Sequence, residues 1–163
     1  MRRYRFSLPR GEFAEYRYLD LLHDALVTAW TKQGFASEKI CGPNALPWNF
    51  AVLGFHRGSV GKAHTLVVST PSPELADALD RLAPADIRYV RAATGEFVNF
   101  DSATKFEDPC PILPGQYVLS VFLLSPLAIR RADRRWHMCL SDVDLDAAIN
   151  TRLSRIAGRP VNL

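Results

Sequence analysis

The sequence predicts an α+β fold on three observations. Apolar residues switch repeatedly between a period of two and a helical spacing, and proline and glycine clusters mark the switch points. Through residue 107 the segments run strand, helix, strand, strand, helix, strand. That order is the ferredoxin-like (RRM-like, βαββαβ) or split βαβ arrangement, with two helices covering one face of an antiparallel sheet. The other face is then open, a common platform for single-stranded RNA, although the fold alone assigns no function.

Residues 4–8 read as the first strand, because Tyr4, Phe6 and Leu8 alternate with Arg5 and Ser7 before Pro9 and Gly11. From residue 13 to 33 the period becomes helical: Tyr18, Leu22, Ala25, Leu26 and Ala29 form one face, Leu19 and Trp30 flank it, and Gly34 supplies the stop. Residues 35–47, with Gly42, Pro43 and Pro47 and no period, read as a loop before a strand over 48–56. The segment Arg57-Gly58-Ser59-Val60-Gly61-Lys62 reads as a polar turn leading to a β-branched partner strand over 64–69. Ser72 is placed to cap a helix with Pro73 at its first position; Leu75, Ala78, Leu79 and Leu82 keep the spacing and Pro84 ends it. Residues 87–91 and 97–100 are short strands around a Thr94-Gly95 turn.

Residues 1–107 thus form the expected ferredoxin-like domain, and 108–116, rich in proline, a linker. Beyond it, residues 117–163 begin a second ferredoxin-like unit, with strands over 117–124 and 135–140. A helix then follows, capped by Ser141, carrying Leu145, Ile149, Leu153 and Ile156, and stopping at Gly158. An apolar helix face of that length needs a sheet or a partner to cover it, so the expectation is that the second unit is truncated at Leu163.

A chain of 163 residues, 48% hydrophobic and 23% charged, can bury a core and is neither disordered nor fibrous. Three cysteines without a CxxC spacing exclude a disulfide framework, and Cys41, Cys110 and Cys139 read as small buried apolar groups in a reducing, cytoplasmic setting. No apolar run approaches the ~20 residues of a membrane span, and the N-terminus alternates where a signal peptide would be continuously apolar. The net charge of +3 is uneven: residues 124–163 carry seven Arg against four Asp, and the rest balances. Four of those arginines, Arg130, Arg131, Arg134 and Arg135, lie beside Trp136 and His137, where bidentate phosphate binding and base stacking could combine. A solvated charged loop is the alternative.

The sequence resembles the CRISPR repeat-processing endoribonucleases of the RAMP superfamily. The resemblance rests on the N-terminal strand with Tyr18-Leu19-Asp20-Leu21-Leu22-His23-Asp24-Ala25-Leu26, and on Pro47-Trp48-Asn49-Phe50-Ala51-Val52-Leu53-Gly54. Val121-Phe122-Leu123-Leu124-Ser125-Pro126-Leu127 and the helix over 145–158 complete it. Residues 47–54 and 145–160 are most similar to the type IV branch. The family's glycine-rich phosphate-holding loop has no counterpart in these 163 residues.

The resemblance implies a metal-independent endoribonuclease that cuts precursor CRISPR RNA within its repeats and stays bound in an effector complex with other subunits. In that chemistry the upstream 2′-hydroxyl attacks the phosphate, leaving a cyclic phosphate and a 5′-hydroxyl. It requires a base, an acid and cations near the developing charge, and no cofactor. The absence of HExxH, CxxC pairs and close carboxylate clusters agrees with a reaction without metal. His23 is the candidate acid/base, with Tyr16 seven residues earlier on the same helical side; a structural histidine bordering the apolar face is the alternative. Arg5, Arg17, Arg57 and Lys62, with the four arginines of 130–135, are the candidate RNA contacts, although residues 57–62 also suit a plain hairpin turn. A non-catalytic RAMP-type guide-RNA subunit is the second reading, and a ferredoxin-like module for a small acidic ligand a third.

Overall fold

The computed structural model describes residues 1–42, 44–109 and 144–162, apart from the side chain of Ile156. The chain falls into two units, Met1–Ser125 and Pro126–Leu163. The fold is α+β, as the alternating periods predict. In the first unit β1 (Arg2–Ser7), β2 (Ala14–Tyr16), α1 (Leu19–Lys32), α2 (Ser37–Cys41), β3 (Asn49–Arg57) and β4 (Val60–Thr70) are followed by α3 (Pro73–Arg81). Then come β5 (Arg88–Val90), β6 (Phe97–Asn99) and β7 (Thr104–Glu107).

Strand β4 organises the five-stranded sheet. One of its edges pairs with β3; the other pairs with β1 along residues 65–70 and with β2 along 61–63, and β7 joins β1 on the outside. Every pairing is antiparallel. Since β1 and β3 both oppose β4, they run parallel to each other on its two sides, and α1 lies in the connection between them.

One sheet face is apolar. Tyr4 and Phe6 of β1, Leu66 and Val68 of β4, and Phe50 and Val52 of β3 stand in register on it. Against them come Leu22, Ala25, Leu26, Ala29 and Trp30 of α1 and Leu75, Ala78 and Leu79 of α3, in one buried cluster. The register shifts once: Leu53 opposes Thr65 and Gly54 opposes Ala63, so His64 is an extra residue, a β-bulge. The bulge keeps Ala63 and Leu66, three residues apart, on the same buried face.

Helix α3 is capped as its sequence predicts. The Ser72 hydroxyl accepts from the Leu75 amide and Pro73 occupies the first turn of α3. The Lys105 ammonium donates to the carbonyls of Leu79, Asp80 and Leu82 at 2.8, 2.7 and 3.0 Å, satisfying the C-terminal end of α3. It also sits 4.3 Å from the centre of the Tyr4 ring. Burial pushes the Lys105 pKa below the ordinary lysine value, against the opposing effect of Asp80.

Several elements differ from the sequence reading. The first helix starts at Leu19, because residues 14–16 alternate and pair with β4 as a strand; Tyr16 is therefore on β2 and not on the helix with His23. The loop before β3 contains the short helix α2, and Cys41 at its end is exposed, not buried. The polar turn is only Gly58-Ser59, which places Lys62 inside β4. Strands β5 and β6 pair as predicted but form a separate two-stranded sheet packed on α1, and the outer strand of the main sheet is β7, over residues to which the sequence reading assigns no element. In the second unit the helix α4 (Leu145–Ala157) is capped by Asp144, which accepts from the Ala147 amide, and ends at Gly158 with φ 65°. The expected linker beyond Pro109 and the strands over 117–124 and 135–140 lie outside the described residues.

Opposite the bulge, any Cβ at Gly54 would run into the Lys62 carbonyl oxygen. Gly54→Ala is expected to cost about 1–3 kcal/mol, read as a lower urea midpoint with an unchanged slope.

Candidate nucleic-acid interface

The second face of the sheet follows from the same register. Arg3, Ser69 and Asn49 form one cross-strand row, Phe106, Arg5, Val67 and Ala51 the next, and Thr104, Ser7, Thr65 and Leu53 a third. Four strands span about 14 Å, enough for two or three nucleotides laid across them. The apolar content of this face is thin and partly solvent-facing: Phe106 is 51% exposed, and toward the β3–β4 hairpin Phe55 is likewise 51% exposed. Phe55 meets Phe13 edge-on at 5.5 Å, and the Lys62 ammonium lies 5.8 Å from the Phe13 ring. Exposed rings beside cations suit stacking of unpaired bases better than packing of a core.

Asp108, just past the edge strand β7, governs the charge at this side of the face. Its carboxylate accepts from Arg5 Nε at 2.8 Å and Arg5 Nη2 at 3.2 Å, a two-point pair, and lies 2.8 Å from Arg3 Nε. Burial pushes the Asp108 carboxyl upward, but the hydrogen bonds and charges of Arg5 and Arg3 outweigh it and hold the group below its ordinary range. Arg3 Nη2 also donates to the Pro109 carbonyl at 3.2 Å. Two guanidinium groups are thereby fixed side by side with one negative charge between them. Neither Arg3 nor Asp108 is among the residues singled out by sequence; the alternation of β1, which puts Arg3 and Arg5 on one face, was the available signal for the first.

His23 is on α1, with its side chain 40% exposed. Its ring stacks on Trp48 at 5.6 Å and 18° and lies 6.3 Å from Phe50, while Nδ1 is 3.6 Å from the Asp24 carboxylate. Trp48 is fixed in turn by its indole N–H, which donates to the Ile40 carbonyl at 3.0 Å. Tyr16 has different neighbours: its ring covers Gly61 and lies 6.4 Å from His56 at the far end of β3. The structure therefore does not bring His23 and Tyr16 together as an acid and base of one site. Burial pushes the Tyr16 phenol above its ordinary value, so it keeps its proton at neutral pH.

Arg17 is exposed in the β2–α1 connection, in the same cleft as Tyr16. Arg57 ends β3 and is exposed, and Lys62 pairs with Glu15 at 2.8 Å. Arg5 is thus on the sheet face, Lys62 near its hairpin end, and Arg17 in a separate cleft. Arg130, Arg131, Arg134 and Arg135 lie outside the described residues. Among the described residues no group of three or more His, Cys, Asp and Glu is placed to hold a metal ion, and no helix is long and apolar enough to cross a membrane.

Comparison with protein-family models, with curated proteins and with solved structures finds no match.

Because the folded-state value of Asp108 is the lower one, its contribution to stability is complete above the ordinary carboxylate range and is lost as pH falls through that depressed value. Asp108→Asn is expected to be less stable than the parent at neutral pH, with the difference shrinking as pH drops below about 4, in urea unfolding followed across the acid range.

Proposed function

We propose that this chain is an RNA-binding protein of the ferredoxin-like, RAMP type, which takes single-stranded CRISPR repeat RNA on the sheet face that carries Arg5 and Phe106. The supporting fold observation is the strand order β3-β4-β1-β7 with helices α1 and α3 in the two crossovers, which is the split βαβ order of such domains. The observation that carries the reading is the exposed row of Phe106 beside Arg5, with Arg3 one row away. Aromatic faces receive bases and guanidinium groups receive phosphates or stack in their own right. Asp108 orients the two arginines in the free protein and yields when a phosphate approaches. The arginines at 130, 131, 134 and 135 supply the charge that the first unit lacks, and guide RNA within an effector complex is the ligand.

A second reading, that the chain also cuts this RNA, is favoured by His23. A half-exposed imidazole with one nitrogen turned to Asp24 has the other nitrogen available to a substrate, and the Trp48 shelf beneath it fixes the ring. In such a cut the 2′-oxygen bonds to phosphorus as its proton leaves. The bond to the 5′-oxygen breaks and that oxygen takes a proton, giving a 2′,3′-cyclic phosphate without a metal ion. His23 moves one of these protons.

For binding, Arg5→Ala and Phe106→Ala are each expected to weaken single-stranded repeat RNA about tenfold in filter binding. Equal affinity in both variants would remove the sheet face from the reading. For cutting, wild type is expected to cleave repeat RNA in EDTA and His23→Ala to bind but not cleave. RNA left intact by the parent protein would leave a guide-binding subunit.

A further inference from the structure

A cleft of about 440 Å³ lies on the first unit away from the residues proposed to bind RNA on the sheet. Leu21 and Val60 line its apolar part, Tyr16, Tyr18 and Phe97 add aromatic surface, and Arg17 stands beside them. Three segments distant in sequence converge here: the β2–α1 connection, the start of β4 and the β5–β6 hairpin. The volume falls in the range of small-molecule sites.

Which groups are already engaged decides the ligand. Arg91 is held by Asp20 at 3.2 Å, Asp24 at 3.1 Å and Glu96 at 3.4 Å, and is a fixed wall, not a free cation. Glu15 is taken by Lys62, and Glu96 also accepts from the Thr94 hydroxyl at 2.8 Å. The two lining carboxylates are thus each already paired, while the three acids around Arg91 outnumber its single charge, so an anion is received only at Arg17. Among the described residues the Arg17 guanidinium and the hydroxyls of Tyr16 and Tyr18 have no side-chain partner. Tyr18 is 62% and Phe97 47% exposed, two large rings left in water at the rim of one cavity.

Exposed ring faces, an uncommitted guanidinium and phenolic donors around a cavity of this size are the recognition chemistry of a nucleotide. We propose that this cleft binds a single nucleotide, its base against Tyr18 and Phe97 and its phosphate on Arg17. The nucleotide is either a base of the bound RNA or a free mononucleotide. The first source rests on the RNA reading above; the second does not.

The test titrates the full chain calorimetrically with each of AMP, GMP, CMP and UMP, and measures an octauridylate by filter binding. Arg17→Ala and Phe97→Leu are compared with the parent, the leucine keeping apolar bulk on β6 while removing the ring face. The expected result is saturable binding of at least one mononucleotide, weakened about tenfold by each variant. No heat with any of the four at millimolar concentration, or binding unaltered in both variants, overturns the proposal. Mononucleotide binding lost in the variants, with octauridylate not bound at all, keeps the cleft as a free-nucleotide site and sinks the RNA reading. Octauridylate bound by a chain that takes no mononucleotide sinks the cleft and leaves the RNA reading standing.

Discussion

The sheet depends on one extra residue. His64 interrupts the ladder between β3 and β4, and without it Ala63 would turn to the face opposite Leu66 and Val68. The bulge falls where the partner on the other edge changes from β1 to β2. Ser7 opposes Thr65, Ala14 opposes Ala63, and the His64 carbonyl between them accepts from the Leu8 amide at 2.8 Å. Its imidazole Nδ1 lies 3.0 Å from the Thr65 hydroxyl, so the bulged residue has partners for both backbone and side chain. Gly54 opposite completes the device, since the backbones approach there too closely for a β-carbon.

From that constraint the two faces acquire different chemistry. Residues in phase with Leu66 and Val68 meet α1 and α3 and supply the buried cluster; on the other face β4 itself carries only the short Thr65, Val67 and Ser69. The helix layer is held at its rim by charge: Lys105 closes α3 from β7, and the Tyr4 hydroxyl donates to Asp80 at 2.9 Å. On the opposite face the same strands, β1 and β7, present Arg5 and Phe106. Period-two alternation thus lets two adjacent strands close the helix layer on one side and display a guanidinium and a ring on the other.

The parts legible in the sequence were those with a strong local signal. Alternation marked β1, the Ser72-Pro73 cap marked α3, Gly58 marked the hairpin and Gly158 the end of α4. The missed elements are short and set by tertiary pairing. Residues 14–16 can be counted into a helical wheel as easily as into a strand, and only the overhang of β4 beyond β1 makes them β2. Thr104–Glu107 alternates Lys and Glu with Thr and Phe, so its inward face carries charge; that face is tolerated because Lys105 finds the carbonyls of α3. The site was less legible than the fold. Arg5 was visible as a cation on an alternating strand, but its partner Asp108 lies 103 residues away in sequence. Tyr16 was assigned to the wrong element, and with it the pairing with His23.

Charge then decides how such a protein could hold RNA. Six of the thirteen cations of the first unit are held in ion pairs: Arg2 with Glu107 and Asp80, Arg3 and Arg5 with Asp108, Lys39 with Glu74, Lys62 with Glu15, and Arg91 with its three acids. Arg10, Arg17, Lys32, Arg57, Arg81 and Arg88 have no ion-pair partner among the described residues, and none of them is on the rows of Arg3, Arg5 and Ser7 across the sheet. An interface built on the Arg3 and Arg5 rows alone would draw its affinity from stacking and from the exchange of Asp108 for phosphate, and would depend weakly on salt. Steep salt dependence requires the surplus of arginine in residues 124–163. The sheet face would then select unpaired bases by their ring faces, and the arginine-rich segment would supply long-range attraction, so the two contributions separate when ionic strength is varied at constant sequence.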